Sequence, residues 1–346
     1  MANQIPLLPT TVVGSYALPA WLHTADEKIS SNAYGPTDIQ ETLDDAVMMA
    51  VRDQEEAGID IISDGEMKRR GFVQSLFRRI SNLKDLGPPR KVGESGLDME
   101  PSFQVMGKVD LPAGLGIVEE FRFLKTKTMK LVKVTLPSPL ALTPWIIPGA
   151  GYRNRLEISL DLISPIRAEI KALAAAGADF IQIDTPNQPG VDGSYESARD
   201  MVDVFNACVE GVTGVKFALH LCFGTHKKVP YSKRSYDPFF PILLEAKAEQ
   251  FVLEFANREM AEIDRLKDWL QGRELGAGVI DIRNYYLETP EDVAAMIRRC
   301  LQFVPADKLY LNPDCGMRRT ARWLARKKLH ALVQGAMIVR RELTGR

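Results

Sequence analysis

"VKFALHLC", residues 215–222, is a nearly continuous apolar run that ends on a histidine and a cysteine. A short run that is apolar on both faces is typical of a strand buried inside a parallel sheet. We interpret seven further runs as strands: "TTVVGS" (10–15), "IDIISDGE" (59–66), "LVKVTLPSP" (131–139), "ADFIQIDTP" (178–186), "QFVLEFAN" (250–257), "ELGAGVID" (274–281) and "KLYLNPDCG" (308–316).

Amphipathic helical patterns lie between most of these runs. Residues 164–178 form one, with Gly177 as its expected C-cap, and residues 288–304 form another, with Thr289 as its expected N-cap. Eight strand–helix units in 346 residues predict a (β/α)₈ TIM barrel that forms a single domain over residues 1–346. A doubly wound open sheet is the alternative, but the GxGxxG fingerprint after the first strand is missing.

Residues 84–128 break this regular alternation. The segment is rich in glycine and proline and is long for a barrel loop. We therefore expect an irregular insertion there, with a hairpin at "FQVMGKVD" (103–110).

The composition excludes several classes of protein. The 44 basic and 45 acidic residues nearly cancel, so we expect neither a nucleic-acid surface nor an anionic membrane surface. No apolar stretch reaches the roughly 20 residues of a membrane helix, and the N-terminus lacks a signal-peptide pattern. Four scattered cysteines suggest a cytoplasmic location with free or metal-bound thiols.

Polar residues collect where the predicted strands end, which in a (β/α)₈ barrel is the edge that carries the active site. His220 and Cys222 are two residues apart on a strand, so their side chains share a face. A buried core pair is the simplest reading of these two residues alone. Glu254, a carboxylate inside an apolar strand, and Cys315, at another strand end, favour a cation instead. One nitrogen, two sulfurs and one oxygen predict a zinc site.

The remaining histidines and cysteines give weaker indications. Cys208 and Cys300 lie on helical patterns among apolar residues, so we expect structural roles. His23 and His330 lack supporting partners in the sequence. His226 follows the zinc pair closely, and we expect a solvated loop residue, with a substrate contact as the alternative.

Motifs from residue 10 onward resemble the C-terminal catalytic barrel of cobalamin-independent methionine synthase. They are "TTVVGSY" (10–16), "SDGEMKRRGFV" (63–73), "LPSPLALTPW" (136–145), "IQIDTP" (181–186), "HLCFG" (220–224), "LEFANREM" (253–260), "GAGVIDIR" (276–283) and "NPDCGMRRTARW" (312–323). The resemblance implies a zinc-dependent methyltransferase that acts on the thiol of homocysteine and makes methionine. It also implies His220, Cys222, Glu254 and Cys315 as the zinc ligands and catalytic residues.

The resemblance further implies the residues that hold the substrates. The loop of Val13, Gly14 and Ser15 would bind the carboxylate of the amino acid. Glu66 and Asp184 would bind its ammonium group, although a salt bridge to Lys68 or Arg69 is an alternative role for these acids. Trp145 matches a tryptophan near the methyl donor, with core packing as its alternative.

Three departures from the family pattern bear on the methyl donor. The chain corresponds to the catalytic half alone, Thr185 replaces an acid, and Arg283 replaces a histidine that is thought to protonate the leaving folate. Arginine is a poor proton donor because it is effectively never deprotonated. From Arg283 and the missing half we expect a methylated corrinoid as the donor, which a corrinoid protein could carry, rather than methyltetrahydrofolate.

Other functions remain open at this point. A zinc alkyltransferase acting on another thiol, such as coenzyme M, could use "MKRR" (67–70) to bind a sulfonate, but Glu66 and Asp184 would repel that group. A zinc hydrolase or deaminase would favour histidine-rich ligands. A purely structural zinc site usually draws on closely spaced ligand pairs in loops, not on separate strand ends.

Overall fold

The computed structural model describes residues 5–69, 74–87, 102–185, 196–224 and 234–345. Its strands, numbered in chain order, are β1 (Ile61–Ile62), β2 (Leu83–Gly87), β3 (Ser102–Val105), β4 (Leu131–Val132), β5 (Val134–Pro137), β6 (Ile146–Ile147), β7 (Phe180–Thr185), β8 (Lys216–Leu221), β9 (Gln250–Glu254), β10 (Glu274–Ile280) and β11 (Leu309–Pro313). Its α-helices are α1 (Ala20–Ser30), α2 (Pro36–Ala57), α3 (Gln74–Phe77), α4 (Ile117–Lys125), α5 (Pro139–Leu142), α6 (Arg155–Ala175), α7 (Ala198–Val209), α8 (Leu266–Trp269), α9 (Pro290–Cys300) and α10 (Arg322–Thr344).

Parallel pairing connects eight strand positions into a ring. Six strands follow one another as β5, β7, β8, β9, β10 and β11, and β1 pairs with β4. Two single bridges complete the ring, since Thr10 pairs with Leu311 and Thr11 pairs with Ile61. The predicted (β/α)₈ barrel is therefore confirmed, with residues 10 and 11 as its first strand position.

The third strand position is divided between two partners. β4 pairs with β1, and β5 pairs with β7. At the break between β4 and β5, the amide of Lys133 donates a hydrogen bond to the Ile62 carbonyl over 2.9 Å. The predicted strand 131–139 is thus present, but it changes neighbour at Lys133 because β1 is only two residues long.

The described part of the segment 84–128 contains regular elements that its composition did not suggest. Its end contains α4, which begins after Gly116 at a positive φ of 83° and has Glu119 and Glu120 in its first turn. Acids in this position stabilise a helix through its dipole. The predicted hairpin at 103–110 is wrong, because β3 pairs with β2 on one side and with β6 on the other.

The sequence also predicted one helix start well and another poorly. The Thr289 hydroxyl accepts a hydrogen bond from the Asp292 amide, and the Asp292 carboxylate accepts one from the Thr289 amide, which completes a capping box at α9. α6, by contrast, begins at Arg155 and continues through Pro165. The Asn154 side chain caps this earlier start.

A small apolar cluster fills the inside of the ring, and most of the strands contribute one residue to it. Its members are Val13, Ile61, Phe180, Ala218, Val252 and Tyr310. Side chains alternate along a strand, so the residues two and four positions after each cluster member also face the inside of the ring. These residues lie nearer to the carboxyl ends of the strands. Among the helices of the described residues, none combines the length and apolar character needed to cross a membrane.

Candidate active site

His220 and Cys222 extend the inward face of β8 beyond the apolar cluster. Both side chains are buried. His220 Nδ1 lies 3.0 Å from the carbonyl oxygen of Val252. That contact suits an Nδ1–H donor, which leaves Nε2 as an acceptor or ligand. His220 Nε2 lies 3.6 Å from the Sγ atom of Cys315, which follows β11.

Three side chains therefore converge at the carboxyl ends of β8 and β11. Ligand atoms of His220, Cys222 and Cys315 all lie within 4.8 Å of one another. One imidazole nitrogen and two sulfurs suit zinc better than magnesium or calcium, which prefer oxygen ligands. The residues present thus fit a zinc ion, and these three of the four predicted ligands form a compact donor set.

The protonation of these side chains depends on one another and on burial. A hydrogen bond with Cys315, together with burial, raises the pKa of Cys222 well above its ordinary value. Burial lowers the pKa of His220, but the hydrogen bond and charge of Cys315 outweigh that effect and raise it to about 8. A bound cation would reverse this preference, because thiolate and neutral imidazole are the forms that bind a metal.

Glu254, the fourth predicted ligand, ends β9 and is fully buried. Its Oε2 atom lies 2.8 Å from Nη1 of Arg283 and accepts a hydrogen bond from the Asn257 side chain over 3.2 Å. Its Oε1 atom accepts one from the Phe223 amide over 3.2 Å. Burial raises the pKa of Glu254, and the positive charge of Arg283 opposes that rise. The carboxylate is therefore already paired beside the three-ligand group.

Asp314 organises this end of the barrel, although its role was not predicted from the sequence. Its fully buried carboxylate accepts hydrogen bonds from the backbone amides of Phe255, Ala256 and Asn257, at 2.8 to 2.9 Å. Burial raises its pKa to about 8 despite these contacts. The link fixes the turn after β9 to the turn after β11, and therefore sets Glu254 relative to Cys315. A carboxylate directly before Cys315 was the available indication.

Glu66 presents one carboxylate oxygen without a partner to the same end of the barrel. Its Oε1 atom accepts a hydrogen bond from Thr135 Oγ1 over 2.8 Å and lies 3.1 Å from Arg69. Its Oε2 atom is buried and has no hydrogen-bond partner among the described residues. The residue has a left-handed backbone with a φ of 55°. The salt bridge to Arg69 that the sequence analysis gave as an alternative is therefore present, and it uses the Oε1 atom of Glu66. The Oε2 atom could accept a hydrogen bond from a ligand.

Asp184 lies on β7 opposite His220 in the strand register. Burial and the charge of Glu66 raise its pKa to about 7, and the charge of His220 opposes the rise. Gln182 donates a hydrogen bond to Asp184 over 2.7 Å and accepts one from Lys133 over 2.7 Å. These contacts bring a buried chain of polar groups from Lys133 to Asp184, which the sequence analysis did not identify.

The predicted loop of Val13, Gly14 and Ser15 lies against Glu66 and is linked to Asp184 through Gln182. Gln182 donates a hydrogen bond to the Val13 carbonyl over 2.6 Å. A side chain at Gly14 would not fit, because its Cβ atom would lie 2.8 Å from Oε1 of Glu66. The loop is therefore held beside Glu66 and Asp184, as an amino-acid pocket would require.

The remaining residues considered in the sequence analysis are a tryptophan, two cysteines and three histidines. Trp145 is partly buried and its ring lies 6.3 Å from that of Phe77. Cys208 and Cys300 are buried on α7 and α9, as expected for structural residues. His23 is exposed and His330 is partly buried. His226 lies outside the described residues.

Comparison with known proteins gives matches over nearly the whole chain. The sequence model of a family described as "Cobalamin-independent synthase, Catalytic domain" matches residues 8–337. A methionine synthase from Saccharolobus solfataricus is 35% identical, and the match covers 99% of this chain and 97% of the relative. A methionine synthase from Thermococcus kodakarensis is 34% identical, with 98% and 96% covered.

A solved structure agrees with these matches. A B12-independent methionine synthase from Shewanella sp. W3-18-1, solved in complex with selenomethionine, superposes with a TM-score of 0.80. It is 28% identical, and the match covers 98% of this chain and all of the other.

These matches overturn the expectation of a methylated corrinoid donor and of a corrinoid-protein partner. The matching family is cobalamin-independent, and the Shewanella protein is described as B12-independent. The Shewanella protein is matched over its whole length, so a single chain of this size did not indicate a corrinoid donor. In the structure Arg283 pairs with Glu254, and its Nη2 atom donates to the Gly224 carbonyl over 3.1 Å.

Proposed function

Because the chain belongs to the cobalamin-independent synthase family, we propose that it is a zinc-dependent methyltransferase that converts homocysteine to methionine. One observation carries the proposal. Three soft metal ligands, His220, Cys222 and Cys315, lie at the same barrel end as Glu66 and Asp184. The two halves of the site suit the thiol and the amino-acid end of one substrate.

The chain's own residues have distinct roles in this proposal. His220, Cys222 and Cys315 would hold zinc, with Glu254 as the fourth predicted ligand. Zinc would supply positive charge that keeps the substrate thiol deprotonated, whereas a free thiol has a pKa of about 8.5. The two cysteine thiolates would leave the metal with little net positive charge, which would keep the substrate sulfur nucleophilic.

The two acids would bind the ammonium group of homocysteine. Burial raises the pKa of Glu66 against the opposing charge of Arg69, and that of Asp184 against the charge of His220, so each carboxylate would be easier to keep charged beside a further cation. A substrate ammonium provides that cation and favours the ionised forms. Its positive charge would be shared between the unpartnered Oε2 atom of Glu66 and Asp184.

The methyl donor is proposed to be a methylated folate, in keeping with a cobalamin-independent family. Trp145 offers a partly buried aromatic ring that suits a flat pterin. The cytoplasmic location and the single-domain organisation stay predictions.

Coenzyme M is a weaker candidate for the thiol substrate. Two of the cations that would bind its sulfonate are engaged elsewhere, because Lys68 pairs with Asp44 and Arg69 pairs with Glu66 and Glu120. Arg70 lies outside the described residues. A purely structural zinc is also disfavoured, since such a role would not explain two buried acids beside the ligands.

Substitution of the cysteines tests the metal and the reaction together. We expect Cys222→Ala and Cys315→Ala to lose at least nine-tenths of the bound zinc by elemental analysis, because each removes one of three converging ligands. Methionine formation from homocysteine and methyltetrahydrofolate, without cobalamin, should fall with the zinc content.

Two buried cysteines away from the site provide matched controls. Cys208→Ala and Cys300→Ala should keep the zinc content of the parent protein. Full activity of a zinc-free protein would contradict the proposed chemistry. Methylation of coenzyme M in preference to homocysteine would contradict the proposed substrate.

A further inference from the structure

The loop after β11 places a further charged residue, Arg318, next to the predicted substrate loop at Ser15. Gly316 lies against the first loop so closely that a Cβ atom there would come within 2.2 Å of Ser15 Oγ. The Met317 amide then donates a hydrogen bond to the Ser15 carbonyl over 2.7 Å. The next residue, Arg318, therefore starts from a backbone that is fixed against the predicted substrate loop.

Arg318 and Glu66 each hold a buried polar atom that has no hydrogen-bond partner within the part of the chain that the structure describes. These atoms are Nη1 of Arg318 and Oε2 of Glu66. The two side chains also act on each other electrostatically. Burial lowers the pKa of Arg318 and the charge of Glu66 raises it, while the charge of Arg318 lowers the pKa of Glu66. A positively charged donor, Arg318, and a negatively charged acceptor, Glu66, are thus near enough to influence each other, and each has an atom available to a ligand.

We propose that Arg318 binds the carboxylate of the amino-acid substrate together with the predicted loop at Ser15, opposite the ammonium group held by Glu66. The inference rests on the proposed function and extends it by a residue that fixes the substrate class. A guanidinium forms strong charge-assisted hydrogen bonds with a carboxylate. A buried donor left without a partner is unfavourable, so a ligand that satisfies it gains affinity.

The pairing would also orient the substrate. Both charged groups of homocysteine are attached to its α-carbon, while the thiol lies at the end of the side chain. With the ammonium at Glu66 and the carboxylate at Arg318, the remaining substituent is the one that carries the sulfur. Arg318 follows Cys315 by three residues, so the loop that holds the carboxylate also carries a proposed metal ligand.

A structural role is the competing explanation, in which Arg318 only balances the charges of Glu66 and Asp26. The two explanations differ in how they depend on the ligand. A carboxylate receptor matters only to ligands that have a carboxylate. A charge-balancing residue matters equally to any ligand of the folded pocket.

Calorimetry with two ligands separates these explanations without requiring turnover. L-methionine has both charged groups, and 3-(methylthio)propylamine lacks only the carboxylate. We expect Arg318→Met to weaken methionine binding by about 10- to 100-fold. The same variant should bind the amine within about twofold of the parent protein.

Two further variants complete the design. Arg319→Met removes an exposed neighbouring charge and should leave both affinities nearly unchanged. Glu66→Gln should weaken both ligands, because both contain an ammonium group. If Arg318→Met fails to fold, Arg318→Lys replaces it, and methionine should still lose more affinity than the amine.

The outcomes distinguish this inference from the proposed function. Equal losses for methionine and the amine, or no loss for either, would overturn the role of Arg318 while the function stands. If the zinc-loaded parent protein binds neither methionine nor homocysteine, the proposed function fails, and the role of Arg318 fails with it.

Discussion

Arg283 supplies the positive charge that the buried carboxylate of Glu254 requires. It is almost fully buried and forms an ion pair with Glu254, whose side chain has no solvent exposure. A buried carboxylate requires a positive partner. Glu254 thus has a partner whether or not a metal is present, whereas the ligand atoms of His220, Cys222 and Cys315 lie within 4.8 Å of one another. We infer that these three would be the main anchors of the proposed zinc.

Removal of Arg283 should therefore make the protein depend on metal for its stability. We expect Arg283→Met to lower the free energy of unfolding of the metal-free protein by about 3–5 kcal/mol, because it leaves Glu254 buried without a cation. Zinc should restore much of this loss, since Glu254 would gain a cation again. Urea unfolding with a chelator and with zinc measures both quantities.

A double variant tests the ion-pair explanation. Arg283→Met with Glu254→Gln removes the charge of both partners, so much of the stability should return in the metal-free protein. A double variant as unstable as Arg283→Met alone would show that packing of the arginine, and not its charge, is responsible.

At the level of single residues, sequence patterns could predict what lies on one strand but not what meets between strands. Alternation along a strand places His220 and Cys222 on one face, and the barrel brings Cys315 to them. The contact of Arg283 with Glu254 depends on loop geometry after two different strands. Neither propensity nor spacing contains that information, so the sequence analysis did not predict this ion pair.

Among the elements, the packing of α10 on α9 depends on a glycine inside a helix. A Cβ atom at Gly335 would lie 2.6 Å from side-chain atoms of Val293 and 2.9 Å from the Pro290 carbonyl. Contacts this short require a backbone or side-chain shift. The absent side chain therefore lets α10 approach the start of α9.

Substitution of Gly335 sets helix propensity against this packing. Alanine would favour a helix interior by about 1 kcal/mol over glycine, but overpacking typically costs about 1–3 kcal/mol. We expect Gly335→Ala to lower the free energy of unfolding. Adding Val293→Ala should relieve the contact, so the loss in the double variant should be smaller than the sum of the two single losses. Additive losses in urea unfolding would exclude direct contact as the cause.

The helices and strands also show where sequence patterns are sufficient. The capping box of Thr289 and Asp292 depends on neighbouring residues and was largely predictable. The helix at Ile117–Lys125 was missed because glycines and prolines before it dominate the composition of its segment. The division of the third strand at Lys133 was not predictable, because it results from the short length of its neighbour β1.

For the molecule as a whole, the ring of strands encloses a row of hydrogen-bonded polar side chains, Lys133, Gln182 and Asp184. Eight apolar runs in the sequence were enough to predict the ring, because each strand must be covered on both faces. They did not predict that Lys133 would be buried and would donate to Gln182. A lysine within an apolar strand was the available indication, and its buried environment lowers its pKa to about 7.

This lysine should make stability depend on pH in a defined direction. In the unfolded chain a lysine has a pKa of about 10.4, so between pH 7 and pH 10 the unfolded state binds more protons than the folded state. Stability contributed through Lys133 should therefore rise with pH, by at most about 1.4 kcal/mol per pH unit. The difference in free energy of unfolding between the parent protein and Lys133→Met should increase across this range in urea unfolding.

A surface lysine provides the control for this measurement. Lys125 is exposed at the end of α4, so the difference between the parent protein and Lys125→Met should stay nearly constant from pH 7 to pH 10. A constant difference for Lys133→Met as well would show that Lys133 keeps its proton inside the barrel.

The closure of the ring has a consequence for motion. Among the described residues, the sheet ladder joins the first strand position to its neighbours by two single bridges, from Thr10 to Leu311 and from Thr11 to Ile61. Glu66 follows the strand on one side of this seam, and Arg318 follows the strand on the other. A substrate held by both residues would act as a removable cross-link over the seam. Local opening of the barrel would then be coupled to substrate release, because each would require the same contacts to break.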